Sequence, residues 1–149
     1  MRQLPPGRRC SSGVAAVEFA LALPVMLVLL VLPLYLGWYL YHQTVAQSAA
    51  QNAARYLSKI PVSEIINPYR APAVAAVANQ IAAAMLKELR PGGIAPSIAV
   101  TCNSTPCVGA GKPATVTVAI QITVEDIFYR DPNRSTYIIA SAKLPYLGR

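Results

Sequence analysis

The sequence has few charged residues, one histidine and three cysteines. Charged residues make up 13% of its 149 residues. The single histidine, His42, leaves no second imidazole for a metal site, and no glycine-rich phosphate-binding motif occurs. Adjacent carboxylates occur only at Glu125 and Asp126, and neighbouring residues of a strand point to opposite faces. We therefore expect no enzyme, no cofactor and no metal.

The basic residues do not form a cluster. The formal net charge is +7, but beyond the first nine residues the arginines and lysines occur singly along the chain. Binding to nucleic acid requires a concentrated basic patch. We therefore expect no nucleic-acid partner.

A long stretch of the chain lacks charge altogether. The 23 residues from Phe19 to Tyr41 contain no Asp, Glu, Lys or Arg. A bilayer core is crossed by roughly 20 apolar residues in a helix. The stretch predicts one membrane-spanning helix. It is longer than the apolar region of roughly 7–15 residues in a secretory signal, although small residues near Ala46 leave cleavage there open.

The distribution of arginines and aromatic rings predicts the orientation of this helix. Arg2, Arg8 and Arg9 precede the apolar stretch, and the next basic residue after it is Arg55. Arginines next to a membrane helix stay preferentially in the cytoplasm, and aromatic rings favour the interface. We expect a bacterial inner-membrane protein with its N-terminus in the cytoplasm and its C-terminal part in the periplasm. The rings that mark the outer boundary are Tyr35, Trp38, Tyr39 and Tyr41.

Two of the cysteines fall in the exported part. Cys102 and Cys107 enclose four residues that include a proline and three turn formers. Small exported domains often contain such a disulfide. We expect a disulfide here, with two free thiols or half of a metal site as the alternatives.

One glutamate stands at the edge of the apolar stretch. Glu18 follows Gly13 by five residues and directly precedes Phe19, after a short basic leader. This arrangement resembles the processing site of type IV prepilins. The resemblance implies that a prepilin peptidase cuts between Gly13 and Val14, and that Glu18 pairs with the new amine of a neighbouring subunit. The alternative is an ordinary membrane anchor in which Glu18 lies at the membrane–water interface. The free-energy cost of a carboxylate is lower there than in the bilayer core.

Over residues 13–60 the sequence resembles one particular family more specifically. The stretch from Gly13 to Pro24, with its Val-Glu-Phe-Ala-Leu core, resembles the N-terminal signature of TadE-like proteins. These are minor pilins or pseudopilins of the tight-adherence (type IVb, Flp pilus) system. The resemblance implies a part in assembling or priming such a pilus. It also implies partners: prepilin peptidase, other pilins or pseudopilins, and the pilus assembly platform.

Two other functions remain open at this stage. One is a membrane-anchored periplasmic binding module. The other is a minor pseudopilin of a type II secretion or competence system.

The remaining pattern predicts an α+β fold. Residues 1–13 form the leader, 14–60 the transmembrane and stalk helix, and 61–149 the periplasmic domain. Helices are expected over Val14–Lys59, with kinks at Pro24 and Pro33, and over Ala71–Leu89, before a stop at Pro91-Gly92-Gly93. Alternating apolar residues predict a small three-stranded antiparallel sheet, pilin-like in layout. Its strands lie around Ile98–Cys102, Thr115–Val124 and Thr136–Leu144, with a turn at Asp131-Pro132-Asn133.

Overall fold

The computed structural model describes residues 12–89, 94–109, 111–124 and 136–148. The chain divides into two compact units, Met1–Tyr39 and Leu40–Arg149, with the division inside the first helix. The elements in order are α1 (Ser12–Lys59), α2 (Val62–Ile65), α3 (Ala71–Leu86), β1 (Ser97–Cys102), β2 (Thr105–Pro106), β3 (Thr115–Val124) and β4 (Thr136–Pro145).

The first unit consists of the N-terminal part of α1. The helix runs through Pro24 and Pro33 without ending. Its best 18-residue window has a mean hydropathy of 2.6 and none of it is buried within the chain. By length and composition this helix can cross a membrane. It fits a single-pass membrane anchor, as the sequence predicts.

In the second unit α1 changes composition and is packed against other elements. Five alanines on this part are completely buried, at spacings of three and one residues that keep them on one face of a helix. Small side chains let neighbouring backbones approach closely. Leu57 follows the alanines on the buried side. The alanines are Ala46, Ala49, Ala50, Ala53 and Ala54.

The connection from α1 to α3 is built from turn-forming residues. Pro61 follows the end of α1, where its missing N–H prevents the helix from continuing. The Asn67 side chain accepts a hydrogen bond from the Tyr69 N–H at 2.9 Å, which forms an Asx turn. A proline then lies in the first turn of α3, where its fixed φ suits a helix start.

The sheet has four strands in the order β2-β1-β3-β4, all antiparallel. On β3, Val116, Val118, Ile120 and Ile122 are completely buried. Their partners across β4 include Ala140 and Ala142, which are also buried, so one face of the sheet forms the core. The other face of β4 is exposed. This alternation is the signature of a sheet that is covered on one side.

The predicted α+β class is confirmed, but the predicted number of strands is wrong by one. The structure adds β2, which pairs with β1 through Cys102 and Thr105. Between them, Asn103 and Ser104 have φ values of 50° and 69°. Positive φ at both positions produces the tight turn that returns the chain antiparallel to itself. A strand of two residues is too short to show an alternation of apolar and polar residues in the sequence.

The other predicted bounds differ from the structure by small amounts. Helix α1 begins two residues before the predicted Val14, and α3 ends at Leu86 instead of Leu89. The short helix α2 was not predicted. The turn at Asp131-Pro132-Asn133 and the stop at Pro91-Gly92-Gly93 lie outside the described residues, so both stay predictions.

Candidate functional site

The largest uncovered apolar surface of the described chain lies on the N-terminal part of α1. Phe19 is 67% exposed, Leu21 71% and Met26 69%. Large apolar side chains that are so exposed within their own chain require cover from lipid or from another protein. The surface continues around and along the helix through Val25, Leu27, Val28, Leu29, Leu30, Leu32, Leu34 and Leu36.

The predicted processing residues lie together in the first two turns of α1. Gly13, Val14, Glu18 and Phe19 are all exposed. Val14 and Glu18 are four residues apart and therefore share one face of the helix. Glu18 makes no ion pair with any residue that the structure describes. The arrangement leaves the carboxylate available to a partner outside the chain.

The structure gives no packing reason for the glycine at position 13. A methyl group added at Gly13 would meet no atom within 4 Å, and the same holds at Gly37. Gly13 lies in the first turn of α1, and no described contact there requires a glycine. The leader residues Arg2, Arg8, Arg9 and Cys10 lie outside the described residues.

Aromatic rings gather towards the end of the apolar stretch. The rings of Tyr35 and Trp38 lie 6.4 Å apart, and those of Tyr41 and His42 lie 5.7 Å apart in an edge-on arrangement. Such rings favour the boundary between bilayer and water. His42 is buried, at 6% exposure. An imidazole enclosed in this way has little access to a substrate.

A disulfide joins Cys102 to Cys107 at the β1–β2 turn. The two sulfur atoms lie 1.97 Å apart and the two Cα atoms 5.0 Å apart. The side chain of Asn103, inside this loop, accepts hydrogen bonds from the N–H groups of Ala114 and Thr115 at 2.8 and 3.1 Å. The loop is thus tied to the start of β3 by hydrogen bonds as well as closed by the disulfide.

The described residues contain no group of three or more His, Cys, Asp or Glu side chains able to hold a metal ion. Glu125 and Asp126 lie outside the described ranges.

Comparison with known families finds a match within α1. Residues 13–55 match the family model of TadE-like proteins. This segment of 43 residues is similar to TadE-like proteins. The resemblance read from the sequence is confirmed over this stretch, which begins at Gly13 and ends within α1. No curated protein and no solved structure matches the chain.

The match covers the apolar helix with its glycine and glutamate, and part of the alanine-rich continuation. It does not extend to α3 or to the sheet.

One further cluster was not predicted from the sequence. Arg55 on α1 and Lys143 on β4 line the same cavity, together with Gln47 and Gln51. The sequence shows these two basic residues only as isolated charges, because they are far apart along the chain. Only the packing of α1 beside β4 brings them together.

Proposed function

We propose that the chain is a minor pilin or pseudopilin that takes part in assembling or priming a tight-adherence (Flp) pilus. The observation that carries the proposal is the TadE-like match, which begins at Gly13 and covers an apolar helix surface that the chain itself does not bury. In this proposal lipid covers the surface before assembly, and the helices of other pilins cover it afterwards.

The proposed orientation follows from the distribution of charge. Three arginines precede the apolar stretch and none falls within it. The positive-inside rule then favours a cytoplasmic N-terminus and a periplasmic second unit. This orientation presents the Gly13–Val14 bond on the cytoplasmic face, where a prepilin peptidase would cut it. Residues 1–13 would be removed as the leader.

Glu18 has a definite role in this proposal. A carboxylate in a membrane helix costs a few kcal/mol unless it is paired. Cleavage after Gly13 creates an amine on Val14, which is largely protonated at neutral pH. Pairing of this amine with Glu18 of a neighbouring subunit would offset the two helices by four residues, or roughly 6 Å at 1.5 Å per residue. The pair would thereby set the axial register.

The mature N-terminus tests the processing step. We expect mass spectrometry of the protein from cells with a prepilin peptidase to find a chain that begins at Val14. Gly13→Val should prevent cleavage, whereas the matched control Gly37→Val should leave it intact, since neither position has a neighbouring atom to displace. An intact leader in the presence of the peptidase, or cleavage of the Gly13→Val variant, would remove the pilin assignment.

A second experiment tests the role of the carboxylate. Glu18→Ala should insert into the membrane as the natural chain does, but should abolish pilus assembly. Glu88→Ala, in the exposed region after α3, is the control and should assemble normally. Normal piliation of the Glu18→Ala variant would show that the glutamate does not set the register.

A further inference from the structure

The second unit begins directly at the end of the apolar stretch. His42 follows Tyr41, the last residue of that stretch, and is only 6% exposed. A helix on its own leaves each side chain largely open, so atoms from outside α1 help to cover this imidazole. Ala46, one turn later, is completely buried. The folded unit therefore surrounds α1 from the first residues beyond the apolar stretch, without a linker.

This close start puts the near end of the unit in the headgroup layer of a bilayer. α1 rises 1.5 Å per residue, so Thr44 lies roughly 4–5 Å and Ser48 roughly 10 Å beyond Tyr41 along the helix axis. A bilayer core is about 30 Å thick, and about 40–45 Å with the headgroups, which leaves about 5–8 Å for each headgroup layer. Aromatic rings favour the edge of the core. With Tyr41 at that edge, the residues around Thr44 fall within the headgroup layer.

The end of α3 reaches the same level. α3 begins soon after α1 ends, and its last turn returns to α1, where the Asn52 side-chain amide donates a hydrogen bond to the Met85 sulfur at 3.3 Å. The two helices therefore run antiparallel, and the residues after Met85 continue towards the start of the unit. A groove of about 510 Å³ lies between the helices at this end. It is lined by Thr44, Val45 and Ser48 on α1 and by Ala84, Met85 and Glu88 at the end of α3.

The lining of this groove is part polar and part apolar. Thr44 and Ser48 contribute hydroxyl groups and Glu88 a carboxylate, while the other three residues are apolar. One of them is Met85, whose flexible side chain adapts to irregular surroundings. The headgroup region of a phospholipid has the same mixture, because its phosphate and ester groups adjoin the first carbons of the acyl chains. The groove therefore fits this part of a lipid in both position and chemistry.

We propose that this end of the second unit is a membrane-contact surface, and that a phospholipid headgroup occupies the groove between α1 and the end of α3. The lipid covers the apolar side chains of the lining and offers polar groups to the others. The contact holds the second unit against the bilayer in addition to α1 itself. The inference rests on the membrane anchor and goes beyond the proposed pilus role, because it does not require cleavage after Gly13.

The test uses the full chain in nanodiscs of phosphatidylcholine, some of which carries a nitroxide quencher on its headgroup. Ala84 and Ala73 are both exposed, and their separation of about three turns puts them on the same face of α3. Each is changed to cysteine and labelled with a fluorophore, with Cys10→Ser removing the other free thiol. We expect the quencher to remove about half of the fluorescence at position 84 and less than about a tenth at position 73, which lies roughly 16 Å further along α3 from the bilayer.

A second pair of variants tests the occupancy of the groove itself. Ala84→Phe fills the groove with a ring, whereas Ala73→Phe adds the same ring three turns away. Native mass spectrometry of the chain released from the nanodiscs counts the phospholipids that stay bound. We expect Ala84→Phe to retain one phospholipid fewer than Ala73→Phe and the natural chain. Circular dichroism checks that both variants are folded.

Equal quenching at positions 84 and 73, or no quenching at position 84, would overturn the membrane contact. Equal retention of phospholipid by the two phenylalanine variants would also overturn the proposal, since the groove would then not hold the lipid. A chain with an intact leader should show the same quenching as a cleaved one. Failure of the pilin proposal is therefore distinguishable from failure of this inference.

Discussion

The Tyr146 hydroxyl group donates a hydrogen bond to the carbonyl oxygen of Ile60 at 2.5 Å. Next to it, the Leu147 N–H donates to the carbonyl oxygen of Ser58 at 2.8 Å. The last carbonyl groups of a helix have no donor within the helix itself. The C-terminal residues of the chain therefore cap the end of α1. A side chain at Gly148 would collide with the Ile60 carbonyl oxygen, so this close approach requires glycine.

We expect Tyr146→Phe to destabilise the second unit by roughly 1–3 kcal/mol, because it leaves a buried carbonyl group without a donor. Ile60 is only 7% exposed, so water has little access to replace the lost hydroxyl. Urea unfolding followed by circular dichroism measures the change. Tyr137→Phe is the matched control, since Tyr137 is 56% exposed. Equal effects of the two substitutions would contradict the capping role.

The same tyrosine predicts a dependence of stability on pH. Burial raises the pKa of Tyr146 above its usual value of 10.0, because it disfavours the phenolate. The folded state then holds its proton more tightly than the unfolded state does. The contribution of Tyr146 is fully present below pH 10 and is lost as the pH rises through the raised pKa.

Unfolding measured between neutral pH and strongly alkaline pH should therefore show a steeper loss of stability for the natural chain than for Tyr146→Phe. The comparison removes the contribution of the other tyrosines, which both proteins share. Parallel loss of stability in the two proteins would show that the Tyr146 pKa is the same in the folded and unfolded states.

Two glycines in the loop before β3 allow a controlled test of packing. Gly109 has a φ of 81°, and a Cβ there would lie 2.7 Å from the Pro68 backbone. Gly111 has a φ of 130°, and a Cβ there would meet nothing within 4 Å. Both backbones disfavour alanine, but only Gly109→Ala adds a clash with the turn before α3.

We expect Gly109→Ala to destabilise the second unit by at least about 2 kcal/mol, of which backbone strain is about 1–2 kcal/mol. Gly111→Ala should show only the strain. Thermal unfolding of the two variants side by side gives the difference. A smaller effect at position 109 than at 111 would mean that the loop does not pack against Pro68.

Strong local patterns allowed much of the fold to be predicted from the sequence. The five-fold alternation of β3 marks that strand by its periodicity, and the uncharged stretch from Phe19 to Tyr41 marks its helix by length and composition. The prolines after α1 and at the start of α3 mark the ends of helices. The elements β2 and α2 have two and four residues, which is too short for a periodic pattern to show in the sequence.

The processing motif is a prediction that the sequence alone allows, because its residues lie close together in the chain. Gly13, Glu18 and Phe19 lie within seven residues and need no tertiary structure to be recognised. The cap made by Tyr146 on Ile60 and the cavity shared by Arg55 and Lys143 join residues distant in the chain. Such pairs depend on how α1 packs beside the end of the sheet, which no local pattern specifies.

The Cys102–Cys107 disulfide leads to a prediction on both stability and location. The loop that it closes is short, with a sequence separation of 5. The chain-entropy relation gives a stabilisation of about 2 kcal/mol for such a loop. We expect the double variant Cys102→Ser, Cys107→Ser to lose about this amount in urea unfolding.

The Asn103 hydrogen bonds to Ala114 and Thr115 do not need the disulfide, so the sheet should persist in the double variant. Structural disulfides form in oxidising compartments such as the periplasm. Alkylation and mass spectrometry without reductant should therefore find Cys102 and Cys107 protected in protein taken from cells. Two alkylated thiols there would contradict both the disulfide and the proposed periplasmic location, because the same bond reports on both.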